Sequence, residues 1–397
     1  MAGISKVCGA VVAAVLAGSA MAQDKPGQQF RVSPQNLPAP YATPGVDNHS
    51  TIVSRPANAL PQVPQGFTIE PYVTGLSGPR FMAMAPNGDV FLTEMGAGKV
   101  TLIRAGKATT YASGFAGPSG IAFHDGALYV GDMAAVWRLD WKPGAAAATA
   151  RVRITRDDFG GHTGHTTRDI AFGSDGTLYL AIGSANNVAE EALPRASVQL
   201  VDKDGHLKTF ATGTRNPVGI AVYPGTNNLF VTVNERDGLG DDLPPDYLTQ
   251  LKQGDFLGWP YAYIGKHPDP EFGAKRPDLV AKTKTPDVLF HAHSAPLGLV
   301  FYDGSQFPAD YKGSAFVALH GSWDAAKPQG YKVVRIKFAN GKPENAYENF
   351  VTGFLMSGPT PPKAFGRPAG LLVDKDGSLL IADDVGKTVW RVRYTGK

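Results

Sequence analysis

Gly160-Gly-His-Thr-Gly-His-Thr-Thr-Arg-Asp-Ile-Ala-Phe-Gly-Ser-Asp-Gly-Thr-Leu-Tyr-Leu-Ala-Ile-Gly183 is the stretch from which both the scaffold and the chemistry can be read. Its second half reads as a β-hairpin: Ile170 to Phe172, a Ser-Asp-Gly turn at 174–176, then Leu178 to Ile182. Its first half is a glycine-rich loop carrying His162, His165 and Arg168. A rigid strand pair fixes a group that the loop leaves accessible, which suits a proton acceptor. The hairpin returns along the chain, whereas the paired histidines do not. Repetition therefore marks the scaffold, and departure from it marks a candidate site.

From Gly66 onward the pattern of short apolar strand, Asp/Asn/Gly turn and second strand occurs six times. The copies are Phe81 to Leu92, Gly120 to Val130, Asp169 to Leu180, Gly219 to Val231, Gly298 to Ala318 and Gly370 to Ile381. Three are followed by a further strand ending in a basic residue: Val100–Arg104, Val333–Lys337 and Val389–Arg393. Small antiparallel sheets of this kind cannot bury both faces alone and must stack on their neighbours. Six of them arranged radially make an all-β, six-bladed β-propeller of four-stranded antiparallel sheets. Phe67-Thr-Ile-Glu-Pro-Tyr-Val73 has no hairpin partner of its own, so it is expected to complete the last sheet and close the ring. The longer spacings around 237–296 and 339–366 place extra chain in loops on a face, where function usually lies.

The N-terminus reads as a processing signal, with Lys6, an apolar run Val7–Leu16, and Ala20-Met-Ala22 before Gln23. Residues 1–22 are thus expected to be cleaved on export to a periplasm, and no stretch is long enough for stable membrane insertion. Residues 23–66, with eight prolines, form an extended arm, and 67–397 the propeller. Cys8, the only cysteine, falls in the signal, which excludes disulfides, thiolate metal sites and Cys-x-x-Cys-His haem attachment from the mature chain. The formal charge of +3 drops to +2 without Lys6, and no basic run with interleaved aromatics points to nucleic acid. With 47 glycines, 31 prolines and 18% charged residues, the chain lacks long helical periodicity.

Several departures from the repeat carry candidate chemistry. His165 is either a solvated loop residue or a base at the central opening, where an imidazole with a reference pKa of about 6.5 accepts a proton near neutrality. Arg215-Asn216-Pro217 and Arg367-Pro368 stand at matching places before the fourth and sixth copies. Each is a turn or an anion clamp, and two arginines at equivalent points converge on one axis. Asn234-Glu-Arg-Asp-Gly-Leu-Gly-Asp-Asp-Leu-Pro-Pro-Asp246 is a solvated turn or a calcium site, though without EF-hand spacing. His320-Gly-Ser-Trp323, followed by Lys327, either caps its blade or faces the same opening. His291 and His293 read as loop residues rather than ligands.

Taken in order, these segments resemble the soluble quinoprotein glucose/sorbosone dehydrogenases, and most closely the L-sorbosone dehydrogenase branch. The resemblance spans about Gly66 to Tyr394. It rests on His165-x-x-x-x-Ile-Ala-Phe-Gly-x-Asp-Gly, Gly213-Thr-Arg-Asn-Pro-Val-Gly219, the 234–242 loop, Gly258-Trp-Pro260, His320-Gly-Ser-Trp323 and Gly366-Arg-Pro368. It implies pyrroloquinoline quinone (PQQ) and Ca2+ over the axis of a six-bladed propeller. Carried onto this chain, it implies His165 as catalytic base and Arg215 and Asn216 as contacts to quinone and substrate. Arg367, with His320 or Lys327, would contact cofactor carboxylates. The metal would lie at Asp237 and Gly238, with Asp241 and Asp242 beside them. Ser184 stands where glucose-oxidising relatives carry an aspartate, which argues against copying their substrate preference.

The implied reaction is oxidation of an aldose or hydrated sugar aldehyde to a lactone or acid, with electrons passed to an external acceptor. His165 would take the hydroxyl proton, Arg215 would stabilise developing negative charge, and the geminal hydride would go to the quinone. The competing expectation is a calcium-dependent lactonase on the same scaffold, needing side-chain carboxylates around the metal but no quinone. A third is a non-catalytic propeller that uses its face to bind a partner.

Overall fold

The second strand of each repeat is apolar on both faces, as in Val90-Phe-Leu92 and Leu379-Leu-Ile-Ala382, all buried. Phe91 packs toward the second blade while Val90 and Leu92 pack toward the sixth. Leu380 and Ile381 divide in the same way between the first blade and the fifth. Each sheet thus meets a neighbour on either side, and the apolar residues collect into six clusters, one per blade–blade interface. At roughly 1.5–3 kcal/mol per buried large aliphatic or aromatic side chain, these interfaces are the main favourable contribution to the ring.

The computed structural model describes residues 24–356 and 361–396; the expected signal, residues 1–22, lies outside the described residues. Six sheets run from an innermost strand outward. The innermost strands are Pro79–Met84, Gly120–His124, Ile170–Phe172, Asn216–Val222, Pro296–Phe301 and Pro368–Val373, and they neighbour one another around the axis. The sixth sheet is completed by Phe67–Thr74, antiparallel to Thr388–Tyr394, so the ring closes as the sequence requires. The three basic-ended strands are third strands of their blades.

Close packing at the axis has two solutions. At Gly298 and Gly370 a Cβ would run into the Ala369 and Arg80 carbonyl oxygens of the next inner strand, so only glycine permits the approach. At the equivalent place in the third blade stands Asp169, fully buried, whose carboxylate accepts the N–H of Ile170 and, across the interface, that of Ile220, both at 2.9 Å. Burial pushes this carboxyl up to about 7 against those hydrogen bonds.

Two expectations need correction. The stretch 237–296 is not wholly loop: Pro245–Leu251 and Val288–Ala292 are the third and outermost strands of the fourth blade. Outside the sheet lie the loop 237–244, the short turn 293–295 and the longer excursion 252–287, which holds a small hairpin and the helix Pro277–Lys282. Likewise Tyr347–Val351, within 339–366, is a strand of the fifth blade. The proline-rich arm packs on the body, where Gln29–Phe30 adds a fifth strand beside Tyr347–Glu348. No helix among the described residues is long and apolar enough to cross a membrane.

Candidate functional site

All innermost strands start at one end of the axis, and each antiparallel second strand returns to that same end. Residues just before an inner strand therefore meet residues just after a second strand. Arg168, Arg215 and Arg367 come from the first position, and Arg80 from just inside its inner strand, after Pro79. Ser184, Glu235, Asp237, His320 and Asp384 come from the second.

A chain of contacts joins these groups around the mouth. Arg367 donates from Nε to the His320 carbonyl at 3.1 Å and from Nη2 to that of Gly321. His320 Nε2 lies 2.9 and 3.0 Å from the two oxygens of Asp384, which also accepts Arg80 Nη1 at 3.1 Å. Arg80 Nη2 donates to Thr167 Oγ1 at 3.2 Å, and Arg168 Nη1 braces the carbonyls of Thr167 and His165 at 2.9 and 2.8 Å. The His165 N–H donates to the Ser184 carbonyl at 3.0 Å, and the Ser184 N–H to that of Arg215 at 2.8 Å. His165, His320, Arg215 and Arg367 are thereby brought together, from four different blades.

The bonds at Ser184 fix the tautomer of His165. Ser184 Oγ donates to the Asn186 carbonyl at 2.6 Å, so both Ser184 oxygens can only accept from Nδ1, at 2.9 and 3.0 Å. Nδ1 therefore carries the proton, and Nε2, with no partner among the described residues, is the free acceptor. Burial, then the charges of Arg215, Arg195 and Arg168, push the imidazole down to about 3, with the Ser184 carbonyl opposing. The ring is neutral at physiological pH. Gly183 lets Asn216 lie beside it, since a Cβ there would meet His165 Cβ and Asn216 Oδ1, each at 2.6 Å.

Arg215 is held from several sides. Its guanidinium donates to the Glu235 carbonyl at 2.6 Å, Asn187 Oδ1 at 2.9 Å, Asn187 O at 3.1 Å and Asp237 Oδ2 at 2.8 Å. Beyond Asp237, the side chains of Asp237, His293 and Asp324 each offer one ligand atom within 4.8 Å of the others. His293 Nε2 faces the Gly240 carbonyl at 2.9 Å, and Nδ1 faces Asp324 Oδ2 at 2.9 Å. Burial pulls His293 down, but Asp324 and the Gly240 carbonyl outweigh it and hold the ring up at about 9. Asp237 is raised, mainly by burial, while Asp324 is held low by His293 despite its own burial. The cluster is self-compensated as it stands, with Arg215 against Asp237 and His293 against Asp324.

Some expected residues stand elsewhere. Asp242 and Lys327 are exposed. Asp241 spends its carboxylate on the Ala326 N–H at 2.6 Å, fastening two loops rather than facing the cluster. Gly238 is exposed at the turn beside Asp237, and His162 is also exposed. His293 is not the plain loop residue expected: it is buried in the cluster. Sequence reasoning also missed Arg80, Asp384, Asn187 and Asp324. Arg80 carries the signal used for Arg215 and Arg367, a basic residue where an inner strand begins.

The mouth suits a polyanionic ligand. Among the described residues the donors Arg80 Nε, which is buried, and Arg367 Nη1 have no partner; Asn216 Oδ1, also buried and unpaired, is an acceptor that suits a ligand N–H or O–H instead. Two arginines with spare donors, on the same chain of contacts as an unpartnered imidazole nitrogen, suit a ligand that carries carboxylates and a neighbouring hydroxyl proton.

Comparison with known proteins is consistent with this arrangement. The family model described as Glucose / Sorbosone dehydrogenase matches residues 76–325, and a TrAA12-like model matches 275–395. An uncharacterised protein of Borreliella burgdorferi is 27% identical over 369 residues, covering 87% of this chain and 93% of that one. A pyrroloquinoline quinone-dependent pyranose dehydrogenase of Coprinopsis cinerea is 27% identical over 348 residues, 72% of this chain. The match covers 46% of that enzyme, so the chain spans about half its length. The holo form of the PQQ domain of pyranose dehydrogenase from Coprinopsis cinerea superposes with a TM-score of 0.71 at 20% identity, over 86% of this chain and 100% of that one. At that identity the likeness is one of fold.

Proposed function

Because the chain belongs to the glucose/sorbosone dehydrogenase family, we propose that it is a PQQ-dependent dehydrogenase of an aldose or sugar aldehyde, on the sorbosone side of that family. The product is the lactone or acid, and an external carrier takes the electrons. The reading includes export to a periplasm through the cleaved N-terminal segment. One observation carries it: the His165 imidazole, whose Nε2 has no partner among the described residues, belongs to a chain of contacts that links arginines contributed by several blades.

The residues present fit the cofactor. Arg80 and Arg367 have donors to spare for its carboxylates, and Arg215 and Asn216 adjoin the base. They also fit a hard cation, for which Asp237 and Asp324 supply oxygens and the Gly238 turn a backbone carbonyl. When bound, PQQ supplies the two-electron acceptor for the hydride and calcium the Lewis acid that polarises it. His165 Nε2 receives the proton of the substrate hydroxyl, while Ser184 keeps Nδ1 protonated and the ring in place. Arg215, pinned by Asn187 and the Glu235 carbonyl, holds positive charge where the oxygen becomes anionic.

The test is dye reduction by purified protein with aldoses and sugar aldehydes, with and without added PQQ and calcium. Turnover that requires PQQ supports the reading, and none with any such donor removes it. The second reading, a calcium-dependent lactonase, is favoured by one observation, the side-chain cluster Asp237–His293–Asp324. Lactone hydrolysis with calcium and no quinone would select it.

A further inference from the structure

The arm that precedes the propeller is built into the mouth. Its start is anchored on the fifth blade, where the Asp24 carboxylate meets the buried Lys332 ammonium at 2.7 Å and Gln29–Phe30 extends the sheet. It then runs along the loops of the fourth, fifth and sixth blades at the end that carries the site. The Tyr41 N–H donates to the Leu239 carbonyl at 2.7 Å, and Thr43 Oγ1 accepts the Asp241 N–H at 2.7 Å. Gly240 lies against Thr43, so closely that a Cβ would stand 3.0 Å from the threonine Oγ1. The Asn48 N–H donates to the Trp323 carbonyl at 2.7 Å, and its side-chain amide reaches the carbonyls of Ala325 and Ala326 at 2.9 and 3.1 Å. The Ala326 N–H closes the triangle on Asp241 Oδ1 at 2.6 Å. Thr51–Ile52 finally pairs in parallel with Lys363–Ala364, three residues before Arg367.

Loops that hold a site are the mobile part of a fold, and small misplacements there are costly. The three loops the arm ties together carry Asp237, then Asp324, then Arg367. Among the described residues it makes no hydrogen bond to the mouth loops of the first three blades, which carry Arg80 and His165. We propose that residues 41–52 are a working part of the site: a belt that holds the loops of Asp237, Asp324 and Arg367 at fixed separation, with Thr43 and Asn48 as its positioning residues. The belt rests on the dehydrogenase reading only for the choice of PQQ and calcium as its ligands.

The test compares the full-length protein with Thr43→Val/Asn48→Ala and with Thr43→Ser. The double variant keeps the anchors at Asp24, at Gln29–Phe30 and at Gln62, whose backbone pairs with that of Thr352, so it is expected to fold and melt close to wild type. Its dissociation constant for PQQ, at fixed calcium, is expected to rise about tenfold for the lost hydrogen bonds. In the apoprotein the His293 imidazole resonances are expected to move while those of His165 stay in place. Thr43→Ser, which keeps the acceptor, should behave as wild type. A folded double variant with wild-type PQQ affinity and unmoved His293 resonances overturns the belt. So does a loss of affinity that follows a fall in melting temperature and disturbs His165 equally, since that is general loosening. If wild type itself fails to bind PQQ, the functional reading falls, and the two histidines still decide the belt without any cofactor.

Discussion

His165 and His320 face the same mouth from different blades, and they differ in what holds the ring. His165 is fixed through Nδ1 by neutral oxygens of Ser184, leaving Nε2 bare. His320 is fixed through Nε2 by the carboxylate of Asp384, itself shared with Arg80. Burial first, then arginines, pushes both rings down, to about 3 and about 4, with Asp384 opposing at His320. Asp384 is held down at about 2 by His320, Arg80 and Arg367 in spite of its burial. Each ring keeps one nitrogen without a partner among the described residues, Nε2 of His165 and Nδ1 of His320, so neither low basicity nor a free nitrogen alone identifies a base; what differs is the partner, neutral oxygens at His165 and a carboxylate shared with an arginine at His320. On the proposed reading His165 of the third blade is the proton acceptor, and the wall from the fifth blade to the first, where Asp384 ties His320 to Arg80, is the anion-binding side.

The largest effect should separate the two walls. Replacing His165 by Gln is expected to lower kcat by 10²–10⁴-fold, roughly the worth of a general base, with PQQ still bound. His320→Gln should keep kcat within about tenfold and act on cofactor affinity. Equal losses of kcat in stopped-flow dye reduction would erase the distinction. Next, Arg80→Met or Arg367→Met removes a charged hydrogen-bonding group, worth about 1.5–3 kcal/mol. The dissociation constant for PQQ should rise roughly 10- to 100-fold by spectroscopic titration, with His165 untouched. An unchanged constant would remove the anion-binding wall.

A smaller effect is expected at the axis. Asp169→Asn retains one acceptor oxygen for two N–H groups, a loss of about 1–3 kcal/mol measurable by denaturant unfolding. Its pH dependence has a definite sign. The folded carboxyl, at about 7, lies above its ordinary value of 3.8, so the native state holds the proton more tightly. The wild-type contribution is therefore full below the unfolded value and falls as pH rises through about 7. The stability gap to Asp169→Asn should narrow over that window; a gap that widens would contradict the assignment. The smallest effect is at His165 itself. With its imidazole at about 3, kcat/KM should show no acid limb from this group between pH 5 and 8. A limb near 6.5, the free imidazole value, would mean that burial and the three arginines do not act as described.

The fold was readable because its determinants are local. Turn residues and the doubly apolar second strands recur in each blade, and Phe67–Val73 stood out because it had no hairpin partner. Arg215 and Arg367 were legible as equivalent points of the repeat. Arg80 shares that logic but lies inside its strand, after Pro79, where a residue is usually read as scaffold. Asp324 and His293 gave no signal, since they meet Asp237 only through the closure of the fourth and fifth blades. The acidic run misled for the opposite reason: Asp241 and Asp242 are adjacent in sequence to Asp237, yet one is spent on a loop and the other faces solvent. The belt was equally invisible, because side-chain bonds to backbone N–H and carbonyl groups leave no period in a sequence.

The seam between Phe67–Thr74 and Thr388–Tyr394 sets the order in which the molecule can be finished. Phe67–Thr74 waits for Thr388–Tyr394 before its edge is covered, and that long-range pairing slows assembly. Until then the sixth sheet lacks its outer strand and the circle stays open. The circle is thus shut by two strands far apart in sequence rather than by a local turn.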